Sequence, residues 1–252
     1  MSTAAETPQS IVATVTELQE TAVALCINGV CQAVMMATPG QLDAFAIGFF
    51  ISEGVITDAG DILSVDSQQQ PQGWQVDVTV LAACEHQLKA RKRVMAGPSG
   101  CGLCGIDSLQ AAMDTQGLVN AASPVLAPRL STIEHASQSL NSLQKQHQHG
   151  RGHHSAAMFN AAGEAVAISE DVGRHSALDK LIGQLTLAKQ PLDNGFAIVT
   201  SRCSHDLVIK SLRAGLRCLV TLAPPTDLAV QSATQLGLLL FCYQQAELKR
   251  FA

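Results

Sequence analysis

The chain has 252 residues, 47% of them hydrophobic and 4% aromatic, with 21 acidic against 16 basic side chains and a formal charge of −5. That is enough apolar material for one large domain or two small ones, while the acidic balance and scarce aromatics argue against a general nucleic-acid binder. No apolar run reaches membrane-spanning length, and the first ten residues lack a basic-then-apolar signal pattern, so a cytoplasmic protein with its eight cysteines mostly reduced is expected.

Residues 11–17 alternate like a short strand. Residues 22–27 and 30–35 are apolar runs around Asn28-Gly29, a pair that tolerates positive φ and so predicts a β-hairpin. Thr38, Pro39 and Gln41 read as N-cap, first helical residue and capping-box glutamine of a helix carrying Leu42, Phe45, Ala46 and Phe49, stopped by Gly54. Glu53 at its end reads as a solvated acid. Residues 61–66 and 74–81 are strands joined by a loop over 68–73, and Trp74, Val76, Val78 and Val80 share one face of the second. Cys26, Cys31, Cys218 and Cys242 lie in strand-like apolar runs and read as ordinary buried residues.

A basic cluster, Lys89, Arg91, Lys92 and Arg93, precedes the stretch Gly97-Pro98-Ser99-Gly100-Cys101-Gly102-Leu103-Cys104-Gly105. Two thiols at this spacing can reach one another or one metal. Nearby positive charge or a helix N-terminus would favour the Cys101 thiolate, which is suited to receiving and passing on a small group. Three other readings stand beside that one. A structural zinc site needs further ligands, and there is no second Cys-x-x-Cys; His147, His149, His153 and His154 fit no standard finger spacing. A thioredoxin-like redox pair belongs in a βαβ setting, not after a basic, glycine-broken segment. A glycine loop with two incidental cysteines would carry an oxidation liability without packing benefit.

A short helix is expected over residues 107–116, and Ser131-Thr132-Ile133-Glu134 reads as a capping box opening a helix with Ile133, Ala136, Leu140 and Leu143 on its apolar face. From residue 153 the pattern turns regular. Strands are expected at 155–160, 165–169, 196–200, 217–222 and, last, 238–243, and helices at 174–188, 204–214 and 226–236. This predicts an α/β fold (α+β overall), a mixed sheet covered by helices with parallel strands in its second half, and a smaller N-terminal β-rich part. The expected divisions are residues 1–95, β-rich with one helix; 96–130, the cysteine loop and short helix; and 131–252, the α/β core. Ligands of such sheets gather at strand carboxyl ends beside helix N-termini. There stand Glu170-Asp171-Val172-Gly173-Arg174-His175 and Thr200-Ser201-Arg202-Cys203-Ser204-His205. Asp171 and Ser204 taken singly are N-caps. Arg174 and Arg202 together suit a phosphate or pyrophosphate, with His154 and His175 as ligand donors or as structural hydrogen-bonders.

These segments resemble, in order and over nearly the whole chain, the formate dehydrogenase accessory sulfurtransferase family, FdhD. The likeness rests on the segments 46–56, Cys101-Gly-Leu-Cys-Gly105, His154-Ser-Ala-Ala-Met-Phe159, Glu170-Asp-Val-Gly-Arg-His175 with Ala177-Leu-Asp-Lys180, Thr200-Ser-Arg202 and Pro225-Thr-Asp-Leu-Ala-Val230. The resemblance implies a cytidine-deaminase-like core, but the deaminase zinc signature is missing and deamination is not implied. It implies that Cys101 accepts persulfide sulfur from a cysteine desulfurase, that Cys104 assists its release, and that the acceptor is the molybdenum cofactor in its bis-molybdopterin guanine dinucleotide form, destined for formate dehydrogenase. By the same likeness the cofactor-binding residues are Arg174, His175, His154, Ser201, Arg202 and the segment Tyr243, Gln244, Gln245, Ala246, Glu247 and Leu248. A homodimer is implied too. The chain departs from the family pattern in lacking glycine and arginine within 243–248, in having Arg151-Gly152 where the family has Gly-Gly before the matching histidine, and in having Ser176 in place of the usual asparagine after the Arg-His pair. The expectation is a sulfurtransferase with no structural metal, no nucleic acid and no membrane. The alternatives are a non-catalytic cofactor-binding chaperone and a zinc-binding or redox Cys-x-x-Cys protein.

Overall fold

The computed structural model describes residues 18–81, 118, 127–146 and 152–252. The expected strand at 11–17, the basic cluster, Cys101, Cys104 and the helix at 107–116 lie outside those residues. The described chain builds ten strands and five α-helices in two sheets.

The N-terminal sheet begins with the expected hairpin, β1 (Thr21–Ile27) and β2 (Val30–Ala37), whose turn has positive φ at both Asn28 (47°) and Gly29 (76°). The helix α1 (Leu42–Ser52) follows, then β3 (Ile62–Gln70) and β4 (Gly73–Val80), giving the order β2-β1-β4-β3. The loop predicted over 68–73 is only a two-residue turn, because β3 pairs with β4 as far as Gln70 opposite Gly73. The β4 alternation holds: Val76, Val78 and Val80 are buried against α1, with Trp74 half-buried at the rim.

The start of α1 differs from the capping box expected. Thr38 is not its N-cap; Gln41 is, in a left-handed conformation (φ 51°) and without a side-chain cap bond. Thr38 is instead held by the far half of the chain, its N–H donating to Asp171 Oδ2 (3.0 Å) and its Oγ1 accepting from Val172 N (3.1 Å). The capping box at Ser131 is also displaced. The helix α2 (Leu130–Gln146) already includes Ser131, and its first bonds run to the Arg129 carbonyl.

The second sheet holds β5 (His154–Phe159), β6 (Ala165–Asp171), β7 (Phe196–Arg202), β8 (Cys218–Ala223), β9 (Leu239–Gln244) and β10 (Glu247–Arg250), ordered β10-β9-β8-β7-β5-β6. β7, β8 and β9 are parallel, as expected, and β5 runs antiparallel to both neighbours. β9 is not the last strand: Gln245 and Ala246, both at positive φ, turn the chain into β10. One face packs on α2 through Ile133, Ala136, Leu140, Phe159, Phe196 and Phe241. The other packs on α3 (Arg174–Leu187), α4 (His205–Arg213) and α5 (Asp227–Leu236).

α1 is the joint between the two halves. Apart from exposed Asp43 in its first turn it is apolar around most of its circumference, as a helix packed on both sides must be. Phe45 and Phe50 are fully buried, in the cluster that α1 shares with the N-terminal sheet. On the other side it crosses α3 at two glycines. A Cβ on Gly48 would fall 1.7 Å from the Asp179 carbonyl oxygen, and one on Gly183 1.8 Å from the Ala44 carbonyl oxygen. Among the described residues no helix is long and apolar enough to cross a membrane.

Candidate functional site

The topology gathers the described candidate residues at one edge of the second sheet. Arg202 ends β7, level with Ala223 at the end of β8. Because β5 is antiparallel to β7, its first residue, His154, comes to the same edge, and Ser155 N–H donates to Thr200 Oγ1 (2.9 Å). His154 is paired in turn with Asp171, the last residue of β6. The chain then passes through Gly173, the N-cap of α3, to Arg174 and His175. The β9–β10 turn lies at this edge too. At about 4.8 Å per strand, it stands three spacings, roughly 15 Å, from His154.

Asp171 is not an N-cap but a buried anchor. Its Oδ1 accepts from Gly173 N–H (2.8 Å), and its Oδ2 takes the Thr38 N–H and the Lys180 ammonium (2.8 Å), which also donates to the Thr38 carbonyl (2.8 Å). Burial pulls the Lys180 pKa down, and Asp171 works against it. This knot fixes the chain's approach to the N-terminus of α3, where unpaired backbone N–H groups and the helix dipole favour an anion.

Around that terminus Arg174 is half-buried and His175 almost fully buried. Burial, then the Lys210 and Arg174 charges, push the His175 pKa down to about 4, so the ring is neutral near pH 7. Its Nε2 lies 3.9 Å from Asp206 Oδ2, beyond hydrogen-bond reach, and is buried with no hydrogen-bond partner among the described residues. Burial and Arg174 lower the His154 pKa as well. Ser204 occupies the N-cap position of α4, but its hydroxyl makes no cap bond and is likewise buried without a partner. Two polar atoms, His175 Nε2 in the first turn of α3 and Ser204 Oγ at the N-cap of α4, are thus buried and orphaned. Buried groups of this kind are met by a ligand or by water.

Beneath lies a second network that sequence reasoning missed. Lys210, on α4, donates to Asp179 Oδ1 and Oδ2 (3.0 Å each) and Ser52 Oγ (2.9 Å), and pairs with Glu53 Oε1 (2.8 Å). Ser52 donates to Asp179 (2.6 Å). Glu53 is therefore not the solvated acid expected, with its side chain only 17% exposed. Burial pushes the Asp179 pKa up against the pull of Lys210 and Ser52; at Lys210 the opposing effect of burial is outweighed by Asp179 and Glu53, which hold the ammonium charged. Ala177–Lys180 was legible as a motif, but the partner of Asp179 lies on α4, and nothing local signals it.

The remaining candidates divide. Ser201 is buried and donates to its neighbour's carbonyl (Arg202 O, 3.0 Å), whereas Arg202 is exposed. In the 243–248 segment Tyr243 and Leu248, opposite one another, pack on the α2-side core, and only Gln244, Gln245, Ala246 and Glu247 are open to solvent. The cations missing there follow at once, as Lys249 and Arg250 on β10. Cys31 is exposed, contrary to the expectation, while Cys26, Cys218 and Cys242 are buried.

Comparison with known proteins agrees with this architecture. A family model described as FdhD/NarQ family matches residues 18–250. The chain is 40% identical over 237 residues to the sulfur carrier protein FdhD of Burkholderia mallei, covering 89% of this chain and 84% of that protein. It is 41% identical over 225 residues to the protein of the same name from Bordetella parapertussis, covering 88% and 79%. Its fold matches a crystal structure from Desulfotalea psychrophila, described as a candidate formate dehydrogenase accessory protein, with a TM-score of 0.70, 21% identity, and coverage of 92% of this chain and 86% of that one.

Proposed function

The chain belongs to the FdhD/NarQ family, and from that premise we propose that it is a sulfur carrier serving formate dehydrogenase maturation. Cys101 takes sulfur from a cysteine desulfurase and passes it to the bis-molybdopterin guanine dinucleotide form of the molybdenum cofactor. The observation that carries this reading is the 40–41% identity, over 88–89% of the chain, with relatives named sulfur carriers, in a chain that itself holds Cys101-Gly-Leu-Cys104.

The chemistry is thiol exchange. The Cys101 thiolate attacks the outer sulfur of the donor's persulfide, the donor leaves as a thiolate, and Cys101 holds a persulfide. The Cys104 thiolate then attacks the inner sulfur of Cys101. The two cysteines join as a disulfide and the outer sulfur leaves as hydrosulfide equivalent to the acceptor. Two equivalents of an external thiol, which leave joined as a disulfide, reduce the Cys101–Cys104 disulfide for the next cycle. The acceptor carries pyrophosphates and guanines. An anion-favouring α3 terminus with Arg174, neutral His154 and His175, and an exposed Arg202 at the same sheet edge support its binding there. The solvent-open part of the 243–248 turn, roughly 15 Å away, suits the far end of an extended dinucleotide. The reading includes a second copy of the chain as partner.

Intact-protein mass spectrometry after incubation with a cysteine desulfurase and cysteine tests the carrier step. One reductant-labile sulfur atom is expected on the wild type and none on Cys101→Ala. Equal loading of both proteins would overturn the assignment of Cys101. No loading of either, repeated with a second desulfurase, would leave a cofactor-binding chaperone.

A further inference from the structure

The hairpin of the N-terminal sheet holds a second pair of thiols. Cys26 and Cys31 are directly opposed in the β1–β2 ladder, one step in from the two-residue turn. Opposed residues of an antiparallel pair have Cα atoms about 4.5–5.5 Å apart, inside the range of about 4.4–6.8 Å that a disulfide spans, and their side chains leave the same face. A bulge sits beside the pair, with Gln32 of β2 the extra residue between the Leu25–Ala33 and Cys26–Cys31 pairs. The turn itself is locked onto β4. Asn28 N–H donates to the Val78 carbonyl (3.1 Å), Val80 N–H to Asn28 Oδ1 (2.9 Å), and Gly29 N–H to Asp77 Oδ1 (3.1 Å). The two sulfurs are therefore held in register.

Their environments differ. Cys31 is exposed and Cys26 is buried. Burial, the Cys31 sulfur with its hydrogen bond, and the Asp77 carboxylate push the Cys26 thiol up to about 12. An exposed thiol backed by a buried one is the arrangement of an attacking and a resolving cysteine.

We propose that Cys26 and Cys31 form a reversible cross-strand disulfide, a redox site separate from Cys101 and Cys104, whose oxidant is a small disulfide such as oxidised glutathione. The Cys31 thiolate attacks one sulfur of the oxidant and displaces a thiolate, leaving a mixed disulfide on Cys31. The Cys26 thiol gives up its proton, and its sulfur attacks Cys31, displacing the second thiolate. Two protein thiols are oxidised and one small disulfide is reduced to two thiols. The raised Cys26 thiol makes closure the slower step, and faster at higher pH. The carboxylate facing Cys26 from β4 is Asp77, and no lysine, arginine or histidine lies on β1, β2 or β4 to offset it.

The test uses the full-length protein, incubated with oxidised glutathione, alkylated and cleaved after glutamate. The peptide spanning residues 21–53, between Glu20 and Glu53, contains Cys26 and Cys31 and no other cysteine. Expected is a peptide two hydrogens lighter that resists alkylation, returns to two alkylated thiols after reduction, and is absent from Cys31→Ser. Because Cys31 is exposed, serine there leaves the fold intact, which circular dichroism checks. Two fully alkylated thiols after oxidation, a glutathione adduct on Cys31 that never closes, or a bond from this peptide to Cys101 or Cys104 would each overturn the proposal.

Discussion

His175 and Lys210 carry the two sharpest residue-level consequences. The His175 pKa is about 4 in the folded chain against an ordinary 6.5, so between those values the unfolded chain binds the proton that the folded one refuses. Stability contributed by the neutral ring is therefore complete above pH 6.5 and is lost as pH falls toward 4. Urea unfolding should show the wild type losing on the order of 2 kcal/mol more than His175→Gln between pH 7 and 5. Equal losses would show the ring titrating normally. Lys210→Met removes the ammonium that pairs Asp179 and Glu53, leaving Arg213 (4.0 Å) beside Glu53 and, among the described residues, no cation on buried Asp179 to replace it. Removing one partner of a buried pair costs about 3–5 kcal/mol, whereas an exposed pair is worth a fraction of that. Denaturant midpoints should place Lys210→Met in the first class and Lys249→Met, whose pair with Glu247 is exposed, in the second.

Among the elements, the α1–α3 crossing and the β9–β10 turn are the most exacting. Both contact glycines of the crossing face backbone, which cannot move aside as a flexible side chain can. Gly48→Ala should therefore cost about 3 kcal/mol or more, the upper end for overpacking, and lower the thermal midpoint accordingly. A small change would mean that α1 can shift on α3 without disturbing the Asp179–Lys210 network beside it. The turn acts the other way. Ala246 sits at φ 60°, where a Cβ is unfavourable by about 1–2 kcal/mol, so Ala246→Gly should raise the thermal midpoint. Gln41, also left-handed, holds the start of α1 by its carbonyl, which accepts from Phe45 N–H (2.8 Å), rather than by its side chain. Such positions defeat capping rules because tertiary bonds, here those of Thr38 to Asp171 and Val172, take up the groups a local cap would use.

In the molecule as a whole, two halves are clamped around α1. Sequence-distant groups meet at the clamp: Thr38 with Asp171 and Lys180, and Glu53 with Lys210. The sheet edge above it is the expected anion site. Titrating a guanine nucleotide should show Arg174→Ala weakened about tenfold or more, the loss of one charge-assisted bond to phosphate. Arg202→Ala should weaken it as well, and Lys249→Ala, on β10, should not. Unchanged affinity in both arginine variants would move the site elsewhere.

By itself the sequence determined the family, the β1–β2 hairpin, the alternation of β4, the order of strands and helices from residue 153 as far as β9, and the junctions where Arg174, His175, Ser201 and Arg202 stand. Those features are written in periods of two or 3.6 residues, in Asn-Gly turns and in short motifs, all local along the chain. Only the tertiary structure decided that Glu53 is an ion-pair partner, that Thr38 and Asp171 anchor one another instead of capping helices, that Tyr243 and Leu248 serve the core, and that Cys31 is exposed. Each of those depends on groups brought together from distant segments or on which face of a sheet is covered. Burial and charge pairing are properties of the assembled neighbourhood, and no window of adjacent residues contains them.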